Sequence, residues 1–299
     1  MSAAAFRPQR QPLVAAGTIE HHVADLTVTA AADVTLASLQ QKLAEHDQWL
    51  PIDGDPHHTL GELVEQNSTG PLRLGFGAWR DLLLGMQLTT PAKRFITAGA
   101  ATMKNVAGYD IVKFMVGSRG RFGKIATITT RTYKRPAAAL LVSRGLEVVG
   151  RKLENPTHDA RPTTHDLQWM MLADGVLWCG YLGDERSIEF HQGNHSNGKR
   201  QSLQEDIDFR AARWLGAGRN FRASVPPTKI LQFVRQSQIN DWSADAAFGI
   251  VVGSCESSEK DFLRKAADGV GGSVFFADDP PFPKNVAALV DRVQSAFNA

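Results

Sequence analysis

Apolar and polar positions alternate along the chain with two different periods, and the switches between them mark its elements. Leu26–Ala30 (LTVTA) alternates and is rich in β-branched residues, which predicts a strand. Thr35 then precedes Leu36, Leu39 and Leu43, a spacing that predicts a capped helix from about Leu36 to His46. The run Asp53-Gly54-Asp55-Pro56 cannot continue a helix. Thr59 followed by Glu62 has capping-box spacing and predicts a second helix start. Leu82–Leu88 reads as a buried strand, Asp110–Val116 as a helix ending at Gly117, and Lys124–Tyr133 as an alternating strand stopped by Pro136.

Pro136 is the predicted domain boundary. Beyond it, Ala139–Ser143, Leu167–Leu172, Val176–Tyr181, Ala247–Gly253 and Ser273–Ala277 read as strands. Glu185–Gly193, Pro227 to about Gln236, Ser257–Ala267 and Lys284–Phe297 read as helices, and Asn194–Lys199 as a polar loop. Strands and helices in this order predict an α+β fold with an open antiparallel layer, not a doubly wound sheet.

Composition narrows the function classes. The 299 residues carry 33 Lys+Arg against 31 Asp+Glu, a formal +2 without a basic stripe, which argues against electrostatic polyanion binding. The two cysteines, Cys179 and Cys255, exclude a cluster or zinc knuckle ligated by cysteines of this chain alone and make a reducing cytoplasm the simplest home. Met1–Pro12 has no apolar run of the signal-peptide kind. Nowhere do about 18 consecutive apolar residues occur, so any membrane contact is expected through a partner.

Most chemical signatures fail. No G-x-x-x-x-G-K-[ST] loop occurs, and Gly75-Phe-Gly77-Ala-Trp-Arg80 lacks the third glycine of a dinucleotide fingerprint. The pairs His21-His22 and His57-His58, and His191 with His195, are expected to be ordinary surface histidines; no metal site and no catalytic residue is assigned. No Gly-x-Ser-x-Gly elbow is present. What remains is glycine geometry within residues 53–125. Thr59-Leu60-Gly61 offers a helix start whose N–H groups suit an anion, and Gly117/Gly120/Gly123 offer close backbone approach to a flat group. The same glycines equally suit tight turns in a compact fold.

One run is more specific. Met103-Lys104-Asn105-Val106-Ala107-Gly108-Tyr109-Asp110, followed by Gly117-Ser118-x-Gly120-x-x-Gly123-x-Ile125, resembles flavoproteins of the vanillyl-alcohol-oxidase/p-cresol-methylhydroxylase (PCMH) type, and among them the FAD-binding subunits of bacterial glycolate oxidases. Leu50-Pro51-x-Asp53-x-Asp55-Pro56, Thr59-Leu60-Gly61, Ser68-x-Gly70-Pro71, Arg80–Gly85 and Arg222–Pro227 agree with the same family in the same order. The resemblance implies a truncated PCMH-type FAD-binding α/β domain over 23–136, after an irregular segment 1–22. An α+β (ferredoxin-like) cap over 137–299 follows. The family's glycine-rich pyrophosphate loop is expected before residue 20, where Met1–Ile19 holds only Gly17, so this segment reads as the second half of the FAD domain.

By the same resemblance, Pro56, Thr59, Leu60 and Gly61 would touch the pyrophosphate of noncovalent FAD, with Gly70 close by. Lys104, Gly108, Tyr109 and Asp110 would lie toward the flavin. Gly117, Ser118, Gly120, Gly123 and Ile125 would line the cofactor, Ile125 through its backbone to adenine. Glu62 stands where the family usually has glycine. The implied function is an FAD-dependent oxidoreductase subunit of a 2-hydroxy-acid-oxidising complex, working beside a second FAD-linked subunit and an iron–sulfur subunit. The alternative is a flavin-free structural or docking subunit of the same fold.

Overall fold

The structure, a computed structural model, describes residues 15–99, 110–145, 167–216, 218–279 and 284–298. The described residues fall into two compact units, one drawn from Met1–Thr69, Gly77–Arg135 and Pro280–Ala299, the other from Gly70–Phe76 and Pro136–Asp279.

The first unit is built on a five-stranded antiparallel sheet. Its strands are β1 (Ile19–His22), β2 (Thr27–Ala31), β4 (Leu83–Thr89), β5 (Phe95–Gly99) and β6 (Lys124–Arg131), in the order β1-β2-β6-β4-β5. The alternating strand anticipated from Lys124 lies at the centre, where pairing on both sides satisfies its backbone. Ile125 and Ile128 are buried, and the fully buried Thr130 hydroxyl donates to the Leu82 carbonyl at 3.1 Å.

Helix α1 (Leu36–Ala44) starts as its sequence predicts, with the Ser38 N–H donating to the Thr35 hydroxyl at 3.2 Å. Its Leu36, Leu39 and Leu43 enter the core with Leu60, Leu63 and Val64 of α2 (Leu60–Glu65). Each such buried leucine contributes about 1.5–3 kcal/mol. A two-stranded ribbon joins β3 (Gln48–Trp49) to β7 (Tyr133–Lys134). Short helices α4 (Trp79–Leu82) and α5 (Ile111–Met115) pack the fully buried Trp79 and Met115 into the same core. The C-terminal helix α10 (Lys284–Asn298) also joins it, through Val290 and Val293.

The second unit is an eight-stranded antiparallel sheet. Its strands are β8 (Ala138–Gly145), β9 (Leu167–Ala173), β10 (Val176–Gly183), β11 (Lys199–Gln201), β12 (Phe221–Ser224), β13 (Trp242–Asp245), β14 (Ile250–Gly253) and β15 (Ser273–Phe276). Their order is β11-β8-β10-β9-β13-β14-β12-β15. This is the open antiparallel α+β layer that the order of periods predicts. Helices α8 (Ile230–Ser237) and α9 (Lys260–Gly269) bury Phe233, Leu263 and Ala267 against Phe221, Ala223, Val251 and Phe276.

Helix α7 (Leu203–Trp214) bonds to Trp169 on β9. There the fully buried Trp169 donates Nε1–H to Asp206 at 3.0 Å, and Arg210 pairs with the same carboxylate at 3.0 Å. Helix α6 (Glu185–Asn194) closes a smaller cluster of Leu140, Val142, Leu167, Cys179, Tyr181 and Ile188. The short helix α3 (Arg73–Phe76) packs on β9.

Two expectations change. The strand predicted from Ala247 begins only at Ile250, because the Asp245 carboxylate accepts the N–H groups of Ala247 (3.0 Å) and Phe248 (3.3 Å) and turns the chain. His191 is not a surface histidine: it is 5% exposed and its ring stacks on Tyr181 at 4.4 Å, whose hydroxyl lies 3.1 Å from His195 Nε2. Alternation on β10 aims Tyr181 inward, and an aromatic partner lets the imidazole pack there.

Candidate functional site

Gly61 and the loop of Gly117 and Gly120 meet at α2, so that helix defines the candidate site. At its start the capping box is complete. The Thr59 N–H (2.8 Å) and hydroxyl (3.0 Å) both donate to Glu62 Oε2, and the Glu62 N–H donates to the Thr59 hydroxyl at 3.2 Å. These bonds from Thr59 hold the Glu62 carboxyl below its ordinary value and keep it on its own helix.

The neighbouring donors are also taken. His57 donates to Asp55 Oδ1 and His58 to the Asp55 carbonyl. Leu60 donates to the Val34 carbonyl at 2.8 Å, Gly61 to that of Ala32 at 2.9 Å, and Leu63 to that of Thr59 at 3.0 Å. The Pro56 carbonyl accepts the Ala37 N–H at 2.9 Å. Gly61 serves this seam directly, since a Cβ there would lie 3.1 Å from the Ala32 Cβ. Every backbone N–H from His57 to Leu63 is thus committed within the chain.

The other end of α2 meets the loop 117–125. Gly117 donates to the Val64 carbonyl and Arg119 to that of Glu65, both at 3.0 Å. Gly117 and Gly120 have φ of +81° and +72°, conformations that L side chains rarely adopt. Gly123 is fixed by packing: a Cβ would stand 2.5 Å from the Thr89 carbonyl oxygen on β4. The Ser118 hydroxyl is buried without a hydrogen-bond partner, at a residue only 3% exposed. An unmade bond on a buried hydroxyl costs about 1–3 kcal/mol, which a water or a ligand bonding to it would remove.

Above the loop stands Glu65. Its Oε2 is the nearest atom to the place a Gly120 Cβ would occupy, at 3.5 Å. Partial burial pushes its carboxyl up; the Ile125 backbone N–H directed at it opposes that shift, Glu62 adds to it, and Lys124 weakly offsets it. Sequence reasoning passed over Glu65. The available signal was a like-charged pair, Glu62 and Glu65, three residues apart on a short helix, which needs local compensation to persist.

Of the predicted site residues, Thr59, Leu60, Gly61, Gly117, Ser118, Gly120, Gly123 and Ile125 surround α2, with Pro56 in the turn before it. Gly70 belongs to the second unit. Asp110 caps α5, accepting the Lys113 N–H at 3.0 Å and pairing with Lys113 Nζ at 3.2 Å. Burial pushes the Asp110 carboxyl up, but the Lys113 contacts outweigh that and hold it low. Lys104, Gly108 and Tyr109 lie outside the described residues. Among the described residues no group of three His, Cys, Asp or Glu is placed to hold a metal ion, and no helix is long and apolar enough to cross a membrane.

Comparison with known proteins bears on this arrangement. Residues 15–110 match the FAD binding domain family. The chain is 27% identical over 285 residues to glycolate oxidase subunit GlcE of Escherichia coli, covering 91% of this chain and 78% of that one. It is 28% identical over 115 residues to the mitochondrial D-lactate dehydrogenase [cytochrome] of Arabidopsis thaliana, covering 38% of this chain and 20% of that enzyme. In fold it matches the solved structure of alkyldihydroxyacetonephosphate synthase with a TM-score of 0.63 at 13% identity, over 92% of this chain and 62% of that one. The chain spans less than two thirds of both those enzymes. Residues 15–110 thus resemble an FAD binding domain, and nearly the whole chain is similar to a glycolate oxidase subunit.

Proposed function

We propose that the protein is an FAD-linked subunit of an oxidoreductase complex acting on a small 2-hydroxy acid. The observation that carries this reading is the likeness to glycolate oxidase subunit GlcE along 91% of the chain, with the FAD binding domain at its head. That relative is a subunit, which supports a multi-subunit setting here as well. An iron–sulfur partner and a second flavin-linked chain complete the proposed assembly.

The residues present suit the cofactor on one side of α2. The loop 117–125 offers a buried, unpartnered Ser118 hydroxyl, backbone at Gly120 exposed without a side chain, and the Ile125 N–H. Gly117, Ser118, Gly120 and Ile125 would hold the nucleotide, with Lys104 and Gly108–Asp110 proposed toward the flavin from the family run. When bound, FAD supplies the redox chemistry through its own ring, and this chain's part is to hold and orient it. The start of α2 contributes shape instead of donors, because its amides are already bonded.

That saturation also favours a second reading, in which the chain keeps the fold as a docking subunit without flavin. The absorbance spectrum of the purified chain, before and after added FAD, separates the two. A flavin spectrum approaching one equivalent supports the first reading. A colourless protein that takes up no FAD overturns it.

A further inference from the structure

Glu65 is the charged group that faces the loop from within the chain, and its surroundings are unusual for a surface glutamate. It is half-buried, its carboxylate oxygen sits over Gly120, and its support is the Ile125 N–H, with Lys124 contributing at longer range. Glu62, one turn earlier, repels it. A carboxylate moves from water into such a place only where donors meet it. In the same loop the Ser118 hydroxyl is buried without a partner, so the loop has donor capacity that the described residues leave unused.

We infer that the Glu65 carboxylate is an internal stand-in for the cofactor's acceptor atoms: it covers Gly120 and the Ile125 N–H in the free chain, and FAD binds by displacing it. The inference rests on the reading of loop 117–125 as the element that faces FAD. Displacement is chemically reasonable on two counts. An anionic diphosphate and a carboxylate in one partly desolvated site repel each other. The adenine and the carboxylate also compete for the Ile125 N–H, which makes only one good hydrogen bond at a time. Glu65 is able to leave, since it sits in the last turn of α2, is only half-buried and makes no direct ion pair among the described residues.

The test titrates the full chain and its Glu65→Ala and Glu65→Gln variants with FAD, and separately with ADP, by flavin fluorescence and calorimetry. Both substitutions are expected to tighten FAD and ADP binding by about tenfold, the alanine at least as much as the glutamine. A second readout needs no nucleotide: amide exchange at Ile125 is expected to quicken in Glu65→Ala. Equal or weaker binding by both folded variants, or unchanged Ile125 exchange, overturns the role of Glu65 and leaves the FAD reading standing. Absence of FAD binding in all three proteins overturns the FAD reading itself, and this inference with it.

Discussion

Gly180 on β10 stands against Trp169 on β9, and replacing it with alanine tests how tightly the second unit is built. A Cβ at Gly180 would lie 1.9 Å from Trp169 Nε1 and 2.0 Å from Cε2, far inside contact distance. Trp169 is fully buried and cannot swing aside freely. Its Nε1–H is bonded to Asp206, which also carries Arg210 at 3.0 Å. Burial pushes the Asp206 carboxyl up against the hydrogen bonds from Trp169 and Gln201, so losing the indole donor raises the cost of its charge.

Overpacking of a filled core costs about 1–3 kcal/mol. A buried acceptor deprived of its donor adds about 1–3 kcal/mol. Gly180→Ala is therefore expected to destabilise the protein by about 2–6 kcal/mol, a large part of the total available to a typical domain. Urea unfolding followed by tryptophan fluorescence measures it. In a Trp169→Leu background the clashing ring is gone, and the same glycine substitution should cost less than about 1 kcal/mol, which makes the pair strongly non-additive. A Gly180→Ala protein within about 0.5 kcal/mol of the parent, or an equal penalty in both backgrounds, refutes the contact as the cause.

Asp245 gives a pH dependence. Burial pushes its carboxyl up to about 6 from an ordinary 3.8, against the Phe248 and Ala247 amides and the charges of Arg73 and Arg222. Between those values the folded state keeps a proton that the unfolded chain releases, so this group's contribution is greatest below pH 3.8 and shrinks as pH rises to 6, by about 3 kcal/mol. Asp245→Asn should flatten that part of the stability curve, and an unchanged fall between pH 4 and pH 7 counts against the assignment. The two thiols should react unequally. Burial pushes Cys179 up to about 11, whereas Cys255 is partly exposed with a smaller upward shift. Peptide mapping after alkylation at pH 8 is expected to find Cys255 modified first and Cys179 only on unfolding; equal rates would contradict this.

The elements that could be read from the sequence are those whose own residues decide them. Thr35 and Thr59 cap helices because their hydroxyls sit one residue before the first apolar turn. Lys124–Arg131 alternates because one strand must face two environments. Less was visible where a partner decides. β5 and β13 are short and are held by their neighbours in the sheets. The return of α10 to the first core through Val290 depends on residues far upstream, which no local period records. Helix α7 was passed over although Ser202 and Glu205 form a capping box of the kind recognised at Thr59. Its buried Asp206 and Arg210 give the helix a polar inner face that hides the usual apolar stripe.

The same limit governs the candidate site, and it explains why glycine spacing alone pointed two ways. Spacing places Gly61 and Gly120 equally well beside a ligand, yet the structure gives them different work. Gly61 lets α2 close on Ala32, and its N–H is consumed in that closure. Gly120 has only a carboxylate end near it, a flexible group that a ligand is able to push away. A glycine opposed by backbone is a packing device, because neither side of the contact can yield. A glycine opposed by a movable side chain next to an unsatisfied hydroxyl leaves room that another molecule can claim. By that criterion the side of α2 proposed to face the nucleotide is its C-terminal end, at Glu65 and the loop of Ser118 and Gly120. The family run predicts the cofactor, but only the bonds at each end of the helix say which end is still open to it.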